Sequence, residues 1–140
     1  MQKIGTIDIV NVPYTLYFFD NFKEINERAI ARDKKYLQNP KEQPLDGYCD
    51  YCWKEICVYC DENTSPYYFN NTILHEICHA VLYEMGYSGC DDEELMDKLA
   101  KWVPFITRAF RTSKEMIENA KDTKEGSGEK PDQGNIPVSE

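Results

Sequence analysis

Both histidines of this 140-residue chain stand on one short stretch, TILHEICHAVLYEMG, residues 72 to 86. His75 and His79 are four apart, and Glu76 directly follows the first. On a helix, positions i and i+4 share a face one turn apart. Two imidazoles there can reach one ion at Zn–N distances of about 2.0–2.1 Å. Glu76 lies roughly 100° round the helix from His75, which suits contact with a water beside the ion and not with the ion itself. The HExxH pattern is therefore two ligands and a general base. The joint accident of this spacing and this glutamate is on the order of 0.1%. Two ordinary histidines on an amphipathic helix are the bland alternative.

A catalytic zinc usually takes three protein ligands and one water, and the chain has no third histidine. The remaining ligand must be a carboxylate or a thiolate. The nearest supply is the run Asp91-Asp92-Glu93-Glu94. On a helical projection Glu93 shares a stripe with Met96, Ala100 and Val103, at one edge of a buried face. Asp92 lies near that face, and Glu94 points away from it. The order of expectation is Glu93, then Asp92, then Glu94, with Cys90 as a thiolate alternative. Acids in this place also simply suit the positive end of a helix. An oxyanion donor would have to be a backbone N–H or a tyrosine. Tyr83, Tyr48, Tyr51, Tyr67 and Tyr68 are near in sequence, but hydrophobic filling explains each of them more simply.

The elements that must hold these residues follow from pattern. Residues 3 to 10 and 14 to 20 alternate as two strands with a turn at Asn11-Val12-Pro13. The stretch NFKEINERAIARDKKYL has room for a short helix, and NPKEQPLDG reads as a loop. Residues 47 to 61 read as a hairpin turning near Lys54-Glu55. Ser65-Pro66 is a cap and first helical position, and Gly86 is the C′ residue that ends the motif helix. A second helix opens in the acidic run, with Leu95, Met96, Leu99, Trp102, Val103 and Ile106 as its core stripe. Pro104 should kink or break it, with helix resuming through TSKEMIENA. From 121 onward the chain carries Gly, Pro and charge without apolar periodicity, and reads as disordered.

A net charge of −9 argues against a nucleic-acid backbone or an anionic membrane surface as partner. No apolar run reaches the 18 residues or so that a membrane span needs, and the opening MQKIGTIDIVNVPY lacks a signal-peptide core. The expected location is the cytoplasm.

Cys49, Cys52, Cys57 and Cys60 spell C-x2-C-x4-C-x2-C. A zinc ribbon separates its two pairs by roughly 15–20 residues, whereas four leave room only for a tight turn. With a turn at Lys54-Glu55, Cys52 would oppose Cys57 and Cys49 would oppose Cys60. Residues three apart on a strand face opposite ways, so a regular hairpin cannot gather all four thiols. Free, partly buried cysteines are expected, ahead of a second metal site or of cross-strand disulfides. Cys78, between Glu76 and His79, reads as a core packer.

The segment from Gly47 to Val103 resembles the small HExxH proteins of phages and prophages, related to the ImmA/IrrE-type metallopeptidases. The features run in order. Gly47 and Asp50 begin a hairpin whose second strand carries Ile56 and Val58; TILHEICHA stands for the family's TLLHELxHA; EMGY follows; then an acidic residue heads a helix with Met96, Leu99 and Ala100. The cysteine set departs from that pattern. The resemblance implies a gluzincin-like zinc site with His75 and His79 as ligands, Glu76 as base and a glutamate of the next helix, aligned to Glu93, as third ligand. It implies an α+β fold in which a small antiparallel sheet with a hairpin packs against the motif helix and a second C-terminal helix follows. Residues 1–120 would form the zincin-like domain and 121–140 the tail. The expected function is a Zn2+-dependent metallopeptidase, a phage-encoded hydrolase acting on a peptide bond of a host protein. The alternative is a non-catalytic zinc-stabilised interaction module, regulatory or anti-defence.

Overall fold

The computed structural model describes residues 1–33 and 45–126, with side chains to Asn119. The chain opens with strands β1 (Gln2–Ile9) and β2 (Val12–Phe19), followed by helix α1 (Phe22–Arg32). Strands β3 (Gly47–Asp50) and β4 (Glu55–Tyr59) come next, then helices α2 (Pro66–Glu84) and α3 (Glu93–Gly126). The fold is α+β. By backbone contacts it divides into two units, Met1–Pro104 and Phe105–Glu140. Among the described residues, no helix is long and apolar enough to cross a membrane.

In the first unit the four strands form one sheet in the order β1-β2-β4-β3. Both hairpins are antiparallel, as expected. The pairing that joins them, β2 with β4, is parallel, so the sheet is mixed and not wholly antiparallel. Parallel neighbours need a long crossover, and the 35 residues between Phe19 and Glu55, α1 among them, supply it. The first turn falls at Val10 and Asn11, both at positive φ, one residue earlier than the sequence suggests. Two left-handed residues in a row match the twist of a tight hairpin.

Period-two alternation assigns each strand residue to a face. Tyr14, Ile56 and Val58 pack with Ile9 and with Ala80 of α2, together with Phe69, Ile73 and Ile77 of the same helix. On the other face Phe19, Tyr48 and Cys57 pack with Ile25 and Ala29 of α1. The sheet is thus sandwiched between α1 and α2. Arg28 of α1 donates to both carboxylate oxygens of the buried Glu55, at 2.9 and 2.8 Å, and Arg32 adds a third contact at 3.3 Å. These bonds tie α1 to β4.

The β3–β4 register corrects the expected one. Cys49 opposes Ile56 and Tyr48 opposes Cys57, with the turn spanning residues 51–54. Cys49 packs on the α2 face and Cys57 on the α1 face, while Cys52 is exposed. All six cysteines are free, and no cysteine belongs to a metal-competent group among the described residues.

The motif helix begins and ends as its sequence dictates. The Ser65 hydroxyl accepts from the N–H of Tyr68, and Pro66 occupies the first turn. Gly86, at φ +73, closes the helix; its N–H bonds to the Tyr83 carbonyl and that of Tyr87 to the Leu82 carbonyl, a Schellman end that needs a left-handed residue. In α3, Met96 and Ala100 are buried as expected, but Trp102 is 57% exposed. Ile106 is exposed and belongs to the second unit. Pro104 lies inside the helix and does not end it. Of the expected tail, residues 121–126 still belong to α3; 127–140 lie outside the described residues.

Candidate metal centre

His75 and His79 sit one turn apart on α2, and Glu93 opens α3. The short connection over residues 85–92 turns the chain back, so that the first turn of α3 faces the middle of α2. One ligand atom from each of His75, His79 and Glu93 comes within 4.8 Å of the others. The two Nε2 atoms are 2.9 Å apart. The Oε2 of Glu93 lies 3.0 Å from His75 Nε2 and 3.6 Å from His79 Nε2. The edge of a tetrahedral zinc site with bonds of about 2.0–2.1 Å is roughly 3.3 Å, so the triangle has the size such an ion needs.

The chemistry of the donor set agrees. His79 Nδ1 lies 2.6 Å from the carbonyl oxygen of Cys90. A carbonyl only accepts, so that nitrogen carries the proton. His75 Nδ1 lies 3.0 Å from Asp97 Oδ1, and the same reasoning protonates it. Both neutral rings then aim a bare Nε2 lone pair at the other ring and at a carboxylate. Three acceptors converge with no donor among them, and only a cation or extra protons can relieve that. Hydrogen bonding to Glu93 leads in raising the pKa of His75 above its ordinary value. Burial lowers that of His79, but Glu93, the Cys90 carbonyl and the charge of Glu76 outweigh it. In return, the hydrogen bonds to His75 and His79 hold Glu93 far below the usual carboxylate range.

The other members of the acidic run have separate tasks. Asp92 caps α3: its carboxylate accepts from the N–H of Leu95 at 3.0 Å and its carbonyl from that of Met96. Glu94 pairs with Lys98 on the exposed side. Asp91 accepts from the hydroxyl of Tyr51 at 3.0 Å. Cys90 contributes its carbonyl to His79.

Glu76 is 6% exposed. A Cβ at Gly47 would stand 2.9 Å from both Cγ and Oε1 of Glu76, so the glutamate occupies space that only glycine leaves beside β3. Glu76, His75, Glu93 and Asp97 line a cleft of about 540 Å³, with Tyr67 and Tyr68 also lining it. That volume lies within the roughly 300–1,000 Å³ of small-ligand sites. Tyr68 is committed to Asp46, donating at 2.6 Å. Tyr83 stacks on Tyr51 with ring centroids 4.2 Å apart and does not line the cleft.

Asp97 and the carbonyl of Cys90 are the partners that sequence reasoning missed; Tyr51, weighed only as an oxyanion donor, places its hydroxyl 3.4 Å from His79 Nδ1. Asp97 stands one turn after Glu93 on the same helical face, and that spacing is the signal that could have found it. A backbone carbonyl leaves no such signal. No family model, no curated protein and no solved structure matches the chain.

Proposed function

We propose that the protein is a zinc-dependent peptidase acting on a protein or peptide, with His75, His79 and Glu93 as metal ligands and Glu76 as general base. The observation that carries this reading is the convergence of three lone-pair donors beside a buried glutamate on a cleft wall. Bound zinc would supply a Lewis acid that polarises a carbonyl and brings the pKa of water to about 7. The chain's own residues do the rest. The Cys90 carbonyl and Asp97 fix the two imidazole tautomers, keeping both Nε2 atoms available. Glu76, held against Gly47, accepts a proton from a water in the cleft and returns it to the leaving amine. Six free thiols suit a reducing compartment, and we place the protein in the cytoplasm.

Glu76 separates the enzyme from a zinc-held interaction module, which would need the ligands but has no use for a buried acid at the cleft. Gln keeps the shape of Glu76 but cannot accept a proton at neutral pH. Glu76→Gln should retain metal and fold, and lose cleavage by roughly 10²–10⁴-fold. The readout is the set of new N-termini generated in a cell extract by parent and variant. Equal cleavage by both, or none by the parent, would favour the module.

A further inference from the structure

The described part of the second unit, beginning at Phe105, is a single helical stretch of α3. Its apolar residues fall in two adjacent rows: Phe105-Ile106, Ala109-Phe110 and Met116-Ile117, with the small polar pair Thr112-Ser113 between the last two. The spacing is four, three, four, the repeat of a helix that packs along another helix. Phe105, Ile106, Phe110, Met116 and Ile117 are each more than half exposed. A helix cannot bury its own stripe, and one without tertiary cover is marginal in water.

We propose that this stripe pairs with the same stripe of a second copy of the chain, the two helices running antiparallel. Two independent features select that occupant and direction. The first is size. With the crossing point between Arg111 and Thr112, Phe110 of one copy meets the small Ser113 of the other. The pair 105–106 then meets 116–117, large against large at both ends. A parallel pairing in register would stack phenylalanine on phenylalanine and bury four hydroxyls in one layer, against the rules of filled volume and satisfied donors. The second is charge. Arg108 stands before the crossing point and Glu115 at the mirrored position after it, both beside the first row of the stripe. An antiparallel pair sets Arg108 of one copy beside Glu115 of the other; a parallel pair in register sets Arg108 against Arg108 and Glu115 against Glu115. Five large side chains offer on the order of 500 Å² per copy, so about 1,000 Å² per pair, the lower limit of a specific interface. The dimer should therefore be concentration-dependent.

Sedimentation velocity of the full chain over a wide concentration range tests this. A monomer–dimer equilibrium is expected, and Phe110→Glu with Ile117→Glu should leave only monomer. Arg108→Glu keeps a good helix former and should weaken the dimer about tenfold at low salt, because it sets Glu against Glu115 of the other copy. Adding Glu115→Arg to the same chain should restore it. Both tryptophans, Trp53 and Trp102, lie in the first unit, so their fluorescence verifies independently that this unit is folded in every variant. A parent that stays monomeric throughout, or a dimer unaffected by Phe110→Glu/Ile117→Glu, overturns the proposal. A dimer left unchanged by Arg108→Glu overturns the antiparallel direction.

Discussion

At the scale of single residues, the site is a set of tautomers held in place. His75 and His79 were legible because a helix turns their spacing into one face, and Glu93 because it shares a helical stripe with Met96 and Ala100. Asp97 was not, because an acid on a helix face ordinarily reads as solvated. Its bond to His75 Nδ1 at 3.0 Å makes it the orienting carboxylate of that imidazole. Such outer partners are typically worth 10–100-fold in metal affinity. Asp97→Ala should therefore weaken zinc binding by about that factor, measured by competition with a chromophoric chelator. Glu94→Ala, which removes only an exposed pair with Lys98, should leave it unchanged. Equal effects of the two would show that Asp97 does not orient His75.

At the scale of elements, the placement of Glu76 depends on how closely β3 approaches α2. Gly47 marks that approach. The sequence showed it only as the start of a hairpin, since what a glycine makes room for is visible only once the opposing side chain is placed. In Gly47→Ala the new methyl would meet Glu76 at 2.9 Å and the backbone carbonyl of Cys57 at 3.0 Å. The carbonyl is fixed by the sheet, so Glu76 must move. Cleavage should drop well below parent while zinc content stays near parent, because His75, His79 and Glu93 are untouched. A Gly47→Ala protein with full activity would show that Glu76 tolerates displacement and is not the base. The same long-range logic explains the features that pattern did not reveal. The parallel β2–β4 pair depends on a crossover and not on local alternation. The hairpin register was misplaced because a four-residue turn over 51–54 and a two-residue turn at 54–55 suit the same apolar alternation. Trp102 and Ile106 match a core stripe in period, yet period does not reveal whether a partner surface exists.

At the scale of the molecule, the site couples stability to pH in opposite directions with and without metal. In the metal-free chain the folded pKa values of His75 and His79 are raised, so their contribution is full below the ordinary value of 6.5 and is lost as pH rises through the folded values. Glu93 is lowered, so its contribution is full above the ordinary 4.5 and is lost as pH falls. Both describe the same histidine–carboxylate contacts, which should stabilise the metal-free chain most between those two values and less towards higher pH. Zinc requires the neutral imidazoles, so the stability gained on adding zinc should grow as pH rises from 5 to 8. Thermal unfolding with and without zinc across that range checks the crossing of trends; parallel curves would mean that the histidines do not bind the ion. The proposed pairing of the second unit should not alter this, since His75, His79 and Glu93 all lie within Met1–Pro104.

Zinc content after reloading reads the proposed ligand set without reference to any substrate. Purified chain, stripped with chelator, re-equilibrated with zinc and freed of excess, should retain about one zinc per chain by elemental analysis. His79→Ala and Glu93→Ala should each lose most of it at the same free zinc concentration, and Glu94→Ala should keep it. A folded parent that retains no zinc, or a His79→Ala chain that retains as much as the parent, would mean that the three converging side chains form a proton-bridged cluster and not a metal centre.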